Sequence, residues 1–169
     1  MVRMPAKPIL FPFAVLLFCL LVAFPPRAEV ISSQTGPAIN LRHIFEGEIN
    51  AHGDPVGMHV FPDKTISGNA RIKRLLSGPN KAGVATAIVG IFDKEISVWK
   101  EKFSSLFPAR LTRTEIIAAI LRAENSALPN GKVKWRGQSG LGFAIEGYRA
   151  KDGTILTAYP IYIPDPKKN

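Results

Sequence analysis

Three histidines, His43, His52 and His59, are all the chain contains, and they fall within one short stretch. Imidazole, with an unperturbed pKa of about 6.5, suits proton transfer near neutral pH. Cleaving a phosphodiester through a neighbouring hydroxyl, as in RNA, needs a base on that hydroxyl and an acid on the departing oxygen. It also needs a cation for the charge that builds on the phosphorane. Two histidines and a lysine are the smallest set that supplies all three without a metal. Two plainer readings stand beside this one. Loop histidines are often solvated side chains, and histidines can hold metal, although neither a His-Glu-x-x-His pattern nor paired cysteines occur here.

The elements that must position these residues follow from local signals. Asn40 can cap a short helix over Leu41–Glu48, with Leu41, Ile44 and Phe45 as its apolar stripe, and that helix carries His43. His52 and His59 lie on a glycine-rich loop from Asn50 to Gly68. Such a length inside a domain is usually functional or disordered. Ala82–Phe92 and Glu95–Phe103 read as strands around an Asp93-Lys94 turn, with Phe107-Pro108 as the stop. Thr112-Arg113-Thr114-Glu115 is a capping-box pattern ahead of a helix whose buried face is Ile116, Ile117, Ile120 and Leu121, ended by Pro129-Asn130-Gly131. Lys132–Arg136, Leu141–Arg149 and Thr154–Ile163 are strand candidates, and Asp152-Gly153 reads as a type I′ hairpin turn. Arg71, Lys73 and Arg74 read as a solvated basic cluster that could steer phosphate. The expected class is α+β, with N-terminal helices and a loop packed against antiparallel sheets.

Composition narrows the setting. The chain has 169 residues and is 46% hydrophobic, enough for one domain to bury a core unaided. Its formal net charge of +9 fits a polyanionic partner or an anionic membrane. Arg3 and Lys7 precede the apolar run Ile9–Phe24, which Pro25, Pro26 and Arg27 end. Residues 1–28 therefore read as a secretory signal peptide, the run being short of the ~20 apolar residues of a membrane span; an uncleaved anchor is the alternative. Removing them subtracts three positive charges and no negative one, so the domain itself is basic. Cys19, the one cysteine, lies in that run, which leaves the mature domain no disulfide and no thiol chemistry. Residues 29–39 read as a lead-in, 40–163 as the domain and 164–169 as a frayed tail.

Three blocks then resemble one family. The stretch from His43 to Asn50 followed by Gly57-Met58-His59 is similar to the signature of the bacterial EndoU nucleases. Phe103-Ser104-Ser105-Leu106-Phe107-Pro108 resembles that family's Ser-Thr-Phe-Phe-Pro block, and Gly147-Tyr148, Asp152-Gly153 and Thr157-Ala158-Tyr159-Pro160 resemble its ending. The blocks occur in the family's order over most of the mature domain. Val60, Ser105 and Leu106 depart from the pattern, and His52 has no counterpart in it, which leaves it as a solvated loop residue.

The resemblance implies an EndoU-like fold and an endoribonuclease acting on single-stranded RNA at uridylates, leaving 2′,3′-cyclic phosphate ends. It implies no required cofactor, with manganese stimulation allowed. His59 would be the general base and His43 the general acid. Tyr159 would pack on the ribose or uracil, with Thr157 hydrogen-bonding the base. The family's lysine precedes the Ser-Thr-Phe-Phe-Pro block, where Lys100 and Lys102 both qualify and would share a strand face; Lys102 is preferred. Glu46 and Glu48 could orient a histidine but read more simply as helix-surface acids. Trp99 and Trp135 could stack bases but read as half-buried core. The setting expected is secreted or periplasmic, without stable membrane association after cleavage. Two rivals remain: a non-catalytic RNA-binding module, and a toxin with an immunity protein.

Overall fold

The described strands form three sheets. The computed structural model describes residues 30–31, 36–62, 68–127 and 133–167. The five-stranded sheet runs β1 (Val30–Ile31), β2 (Ile39–Asn40), β10 (Ile155–Pro160), β9 (Ala144–Arg149) and β8 (Lys134–Gln138), in that order. The three-stranded sheet runs β5 (Ala70–Ser77), β6 (Ala85–Asp93) and β7 (Val98–Leu106). A small hairpin, β3 (Glu48–Ile49) with β4 (Pro55–Val56), follows helix α1 (Leu41–Phe45), and helix α2 (Arg113–Ser126) follows β7. The fold class is thus α+β.

The two main sheets each have their own core. Ile116, Ala119, Ile120 and Ala123 recur on one stripe of α2 and bury it with Trp135, Ile145 and Ala158 of the larger sheet. Thr112 and Glu115 close a reciprocal capping box at the start of α2, a contribution of about 1 kcal/mol. The second core joins Met58 to Ala70, Ala87, Val89, Ile91 and Leu106, which lie on one face of the smaller sheet. The uninterrupted β6–β7 register pairs Ala87 with Ser104, Val89 with Lys102 and Ile91 with Lys100. Those three β7 residues therefore face inward with that core.

Several expectations change. The helix carrying His43 stops at Phe45, because Glu48–Ile49 pair with Pro55–Val56 instead of continuing the turn. That pairing also gives regular structure to part of the expected loop. Among the described residues the N-terminal part holds one short helix rather than several, and β2 meets β10 in parallel, so the larger sheet is not wholly antiparallel. Ile39, read as lead-in, is buried in the first core. Arg71, Lys73 and Arg74 sit on strand β5, which two bulges hide from a simple alternation pattern. The Asp152-Gly153 turn is a three-residue connection, with the Gly153 N–H on the Ala150 carbonyl and Gly153 at φ 88°; Asp152 is not left-handed, as type I′ would require. The tail is tied down at Asp165, whose carboxylate accepts the Lys81 N–H at 2.9 Å. Trp135 is fully buried. Residues 1–28, Pro129-Asn130-Gly131, residues 63–67 of the loop and the last two residues lie outside the described residues.

Candidate active site

The Asn40 side chain caps α1 by accepting the His43 N–H at 3.2 Å, which sets His43 in the first turn. Its Nδ1 lies 2.9 Å from Glu48 Oε1. A carboxylate only accepts here, so Nδ1 carries the hydrogen and Nε2 is the working nitrogen. The same bond is the main cause holding the Glu48 carboxyl below its ordinary pKa.

His59 is clamped by its backbone. The Met58 N–H donates to the His43 carbonyl and the His59 N–H to the Ile44 carbonyl, each at 2.8 Å, while the His59 carbonyl accepts from Phe107 N–H at 2.7 Å. Reaching those partners takes two consecutive left-handed residues, Gly57 at φ 75° and Met58 at φ 56°. A Cβ on Gly57 would lie 2.0 Å from the His43 carbonyl oxygen, so only glycine fits. Met58 accepts a conformation uncommon for a non-glycine residue, and it is held there by these bonds.

The ring of His59 is buried, with Nδ1 3.2 Å from the Ser105 carbonyl and 3.0 Å from Ser104 Oγ. Ser104 spends its own hydrogen on the Met58 carbonyl at 2.6 Å, leaving its oxygen to accept. Nδ1 therefore carries the hydrogen and Nε2 holds a free lone pair. Burial, then the charges of Lys102 and His43, lower the His59 pKa to about 3, against a weaker opposing pull from the Ser105 carbonyl.

Lys100 and Lys102 share the inward face of β7, as expected, but differ in company. Lys100 Nζ is 2.7 Å from both the Asp93 carboxylate and the Gly53 carbonyl. Lys102 Nζ donates to the Gly57 carbonyl at 2.9 Å, and among the described residues no carboxylate pairs with it. Burial brings its pKa down to about 8.

Tyr159 closes the far wall. Its ring centroid is 5.3 Å from that of His59, and the His59 and His43 centroids are 6.3 Å apart. The Tyr159 hydroxyl donates to Glu146 Oε1 at 2.5 Å, and Lys134 Nζ meets the same oxygen at 2.8 Å. Burial and that bond raise the Tyr159 pKa. Burial alone would raise Glu146, but the bonds from Lys134 and Tyr159 outweigh it and lower it. Thr157 shares a β10 face with Tyr159, and its Oγ1 is buried without a partner among the described residues.

His43, His59, Lys102 and Tyr159 thus gather where the two sheets meet, with Thr157 beside Tyr159. His52 stays outside, exposed on the β3–β4 tip, where its N–H caps on Asn50 Oδ1 at 2.9 Å. Ser104 and Glu146 were not singled out by sequence; only their alternation with inward or outward neighbours hinted at them. Glu48 is an orienting residue and not a helix-surface acid. Among the described residues, no group of three or more His, Cys, Asp or Glu side chains could hold a metal ion.

Two oriented imidazoles beside a half-buried ammonium, at the seam of an α+β fold, form an arrangement that can carry acid–base chemistry on phosphate esters. The chain belongs to the bacterial EndoU nuclease family, whose profile matches residues 38–162. It is also 30% identical over 125 residues to a Bacillus cereus protein named "Toxin", an overlap covering 71% of this chain and 22% of that protein. The chain therefore spans only about a fifth of that relative's length. No solved structure matches.

Proposed function

We propose that the protein is an endoribonuclease that cuts single-stranded RNA at uridylates and leaves 2′,3′-cyclic phosphate ends. The observation that carries this reading is the opposed pair of histidines, each with its Nδ1 hydrogen committed to a protein acceptor and its Nε2 left for chemistry. In this reading neutral His59 Nε2 takes the proton of the 2′-hydroxyl as that oxygen attacks phosphorus. The bond from phosphorus to the 5′-oxygen breaks, and protonated His43 gives its Nε2 proton to the leaving oxygen. Lys102, with no carboxylate among the described residues to neutralise it, offsets the charge on the phosphorane.

Tyr159, fixed through Glu146, would pack on the ribose or uracil. Thr157 Oγ1 pays about 1–3 kcal/mol for lacking a partner, and a χ1 rotation that brought it to a base edge would relieve that cost. No cofactor is assigned to bond cleavage, and manganese is assigned at most a stimulating part.

The test is cleavage of a short single-stranded RNA by residues 29–169, in EDTA and with manganese, beside a substrate carrying 2′-deoxyuridine at every uridine. Cyclic ends at uridylates that persist in EDTA and vanish with the deoxy substrate are expected. Retention of intact RNA without any cleavage would make the protein a binding module.

A second reading concerns purpose rather than chemistry. The relative named "Toxin" favours a toxic nuclease held in check by an immunity protein. Induced in a bacterial cytoplasm, the domain should then stop growth, and its His59→Ala variant should not.

A further inference from the structure

The smaller sheet has a second face. In the β6–β7 register the outward positions of β7 are Trp99, Glu101, Phe103 and Ser105, opposite Phe92, Gly90, Ile88 and Thr86 of β6. Across β6 the outward positions of β5 include Arg71 and Arg74, opposite Gly90 and Ile88. Lys73, displaced by a bulge, also reaches outward and pairs with Glu101. The cations therefore root on one strand of this face and the rings on another, with the two strands roughly 10 Å apart across one intervening strand and the Arg71 and Lys73 side chains reaching over it.

The arrangement is not that of a covered core. Phe103 remains 58% exposed in the middle of its strand, and Arg71, Lys73 and Arg74 are all exposed. The Arg71 guanidinium lies 3.9 Å above the Trp99 ring. Gly90 makes room for that stack: a Cβ there would sit 3.2 Å from the Trp99 ring and 3.4 Å from Arg71. A guanidinium plane stacked on an indole, with an open phenyl ring roughly 13 Å along the same strand, offers two platforms for unstacked bases.

We propose that this outer face is a docking track for single-stranded RNA, with phosphates along β5 and bases along β7, outside the catalytic cleft. The proposal rests on the ribonuclease reading of that cleft and assigns the face to RNA flanking the cut. Charge selects the occupant: among the described residues three cations meet one acid on this face, Glu101, which Lys73 already neutralises. A polyanion carrying aromatic bases matches both the charge and the rings. Strand β7 is a terminal strand of its sheet, with Lys102 and Ser104 on its inner side and Trp99 and Phe103 on its outer side. RNA passing round this one strand would reach the catalytic lysine from the docking track.

The experiment measures binding of uncleavable 2′-O-methyl oligouridine, a 20-mer and a 4-mer, by fluorescence anisotropy across a salt series. Because it needs no turnover, it reads the track even if the protein proves not to cleave RNA. Arg71→Ala/Arg74→Ala should weaken the 20-mer about tenfold and flatten its salt dependence by about 1.4 in log–log slope, the release of two phosphate contacts on a single strand. The 4-mer, which fits the cleft alone, should change less than about twofold. Glu101→Gln, which removes the competing acid, should tighten the 20-mer, so a fold defect cannot imitate the pattern. Unchanged 20-mer affinity in the double variant would overturn the proposal and turn attention to an acidic protein partner. Equal loss for both lengths would overturn it too, by placing the effect in the cleft.

Discussion

Lys100 and Lys102 point from the same face of β7, yet of the two only Lys100 is held by a carboxylate among the described residues, that of Asp93, at 2.7 Å. A neutralised lysine has little charge to lend a phosphorane, whereas Lys102 lies half-buried beside His59 and donates to the Gly57 carbonyl. Replacing Lys102 by Ala should lower kcat/KM for RNA by about 10²–10³-fold. Lys100→Ala should cost less than about tenfold, through the loosened Gly53 loop. Equal losses would remove the distinction between them. Because the free-enzyme pKa of Lys102 lies at about 8, kcat/KM should fall above that pH as the ammonium is lost. Lys102→Arg, whatever its absolute rate, should carry that alkaline limb to higher pH.

In the proposed mechanism Glu48 acts through His43 rather than on RNA. Glu48→Gln keeps the size but weakens the grip on the His43 Nδ1 hydrogen, now held at 2.9 Å. A roughly tenfold lower kcat with KM nearly unchanged is expected, because orientation matters most where the proton is transferred. A rise in KM at constant kcat would instead mean that Glu48 serves substrate binding.

His59 should also govern acid stability. Its folded pKa, lowered to about 3, lies below the unfolded value of about 6.5, so between these the unfolded chain holds a proton that the folded one refuses. Stability then falls as pH falls, by about 1.4 kcal/mol per pH unit below pH ~6. The lowered carboxylates, Glu48 among them, act with the same sign but only near and below their ordinary range. Urea unfolding between pH ~6 and ~4.5 isolates the histidine, and His59→Gln should flatten the slope there. A slope that survives the substitution would assign it elsewhere.

Gly57→Ala offers a test of the clamp. With φ at 75° and the His43 carbonyl 2.0 Å from the new Cβ, the substitution should cost about 2–4 kcal/mol in denaturant unfolding. Cleavage should drop in the fraction that stays folded, since His59 follows Gly57 by two residues. Wild-type activity in a folded Gly57→Ala protein would show that the contact yields without moving the ring.

The sequence made His43 and His59 legible because histidines are few, and made α2 legible because Thr112, Glu115 and the Ile116–Ala123 stripe agree. Other elements were hidden for physical reasons. Strand β5 carries two bulges, which break the alternation that marks a strand. Glu48 looked like the end of a helix because propensity cannot register its pairing with Val56 across the hairpin. The choice between Lys100 and Lys102 depended on Asp93, a turn residue at the end of the neighbouring strand, and cross-strand partners are not written in local spacing. Motif resemblance supplied Thr157 and Tyr159; the Glu146 that fixes Tyr159 became visible only with the β9–β10 register.

Among the described residues, the hydrogen bonds that seat His59 arise from α1, from β7 and the Phe107 that follows it, and from residues 57–59, and none comes from the tip of the β3–β4 hairpin. Chain length at that tip is therefore uncoupled from the distance between the two imidazoles. Insertions between Asn50 and Asp54 would sacrifice the local Asn50 turn and the Lys100 contact with Gly53, but would leave the reacting pair in place. The fold can thus vary the length of this hairpin while keeping the spacing of the two imidazoles constant.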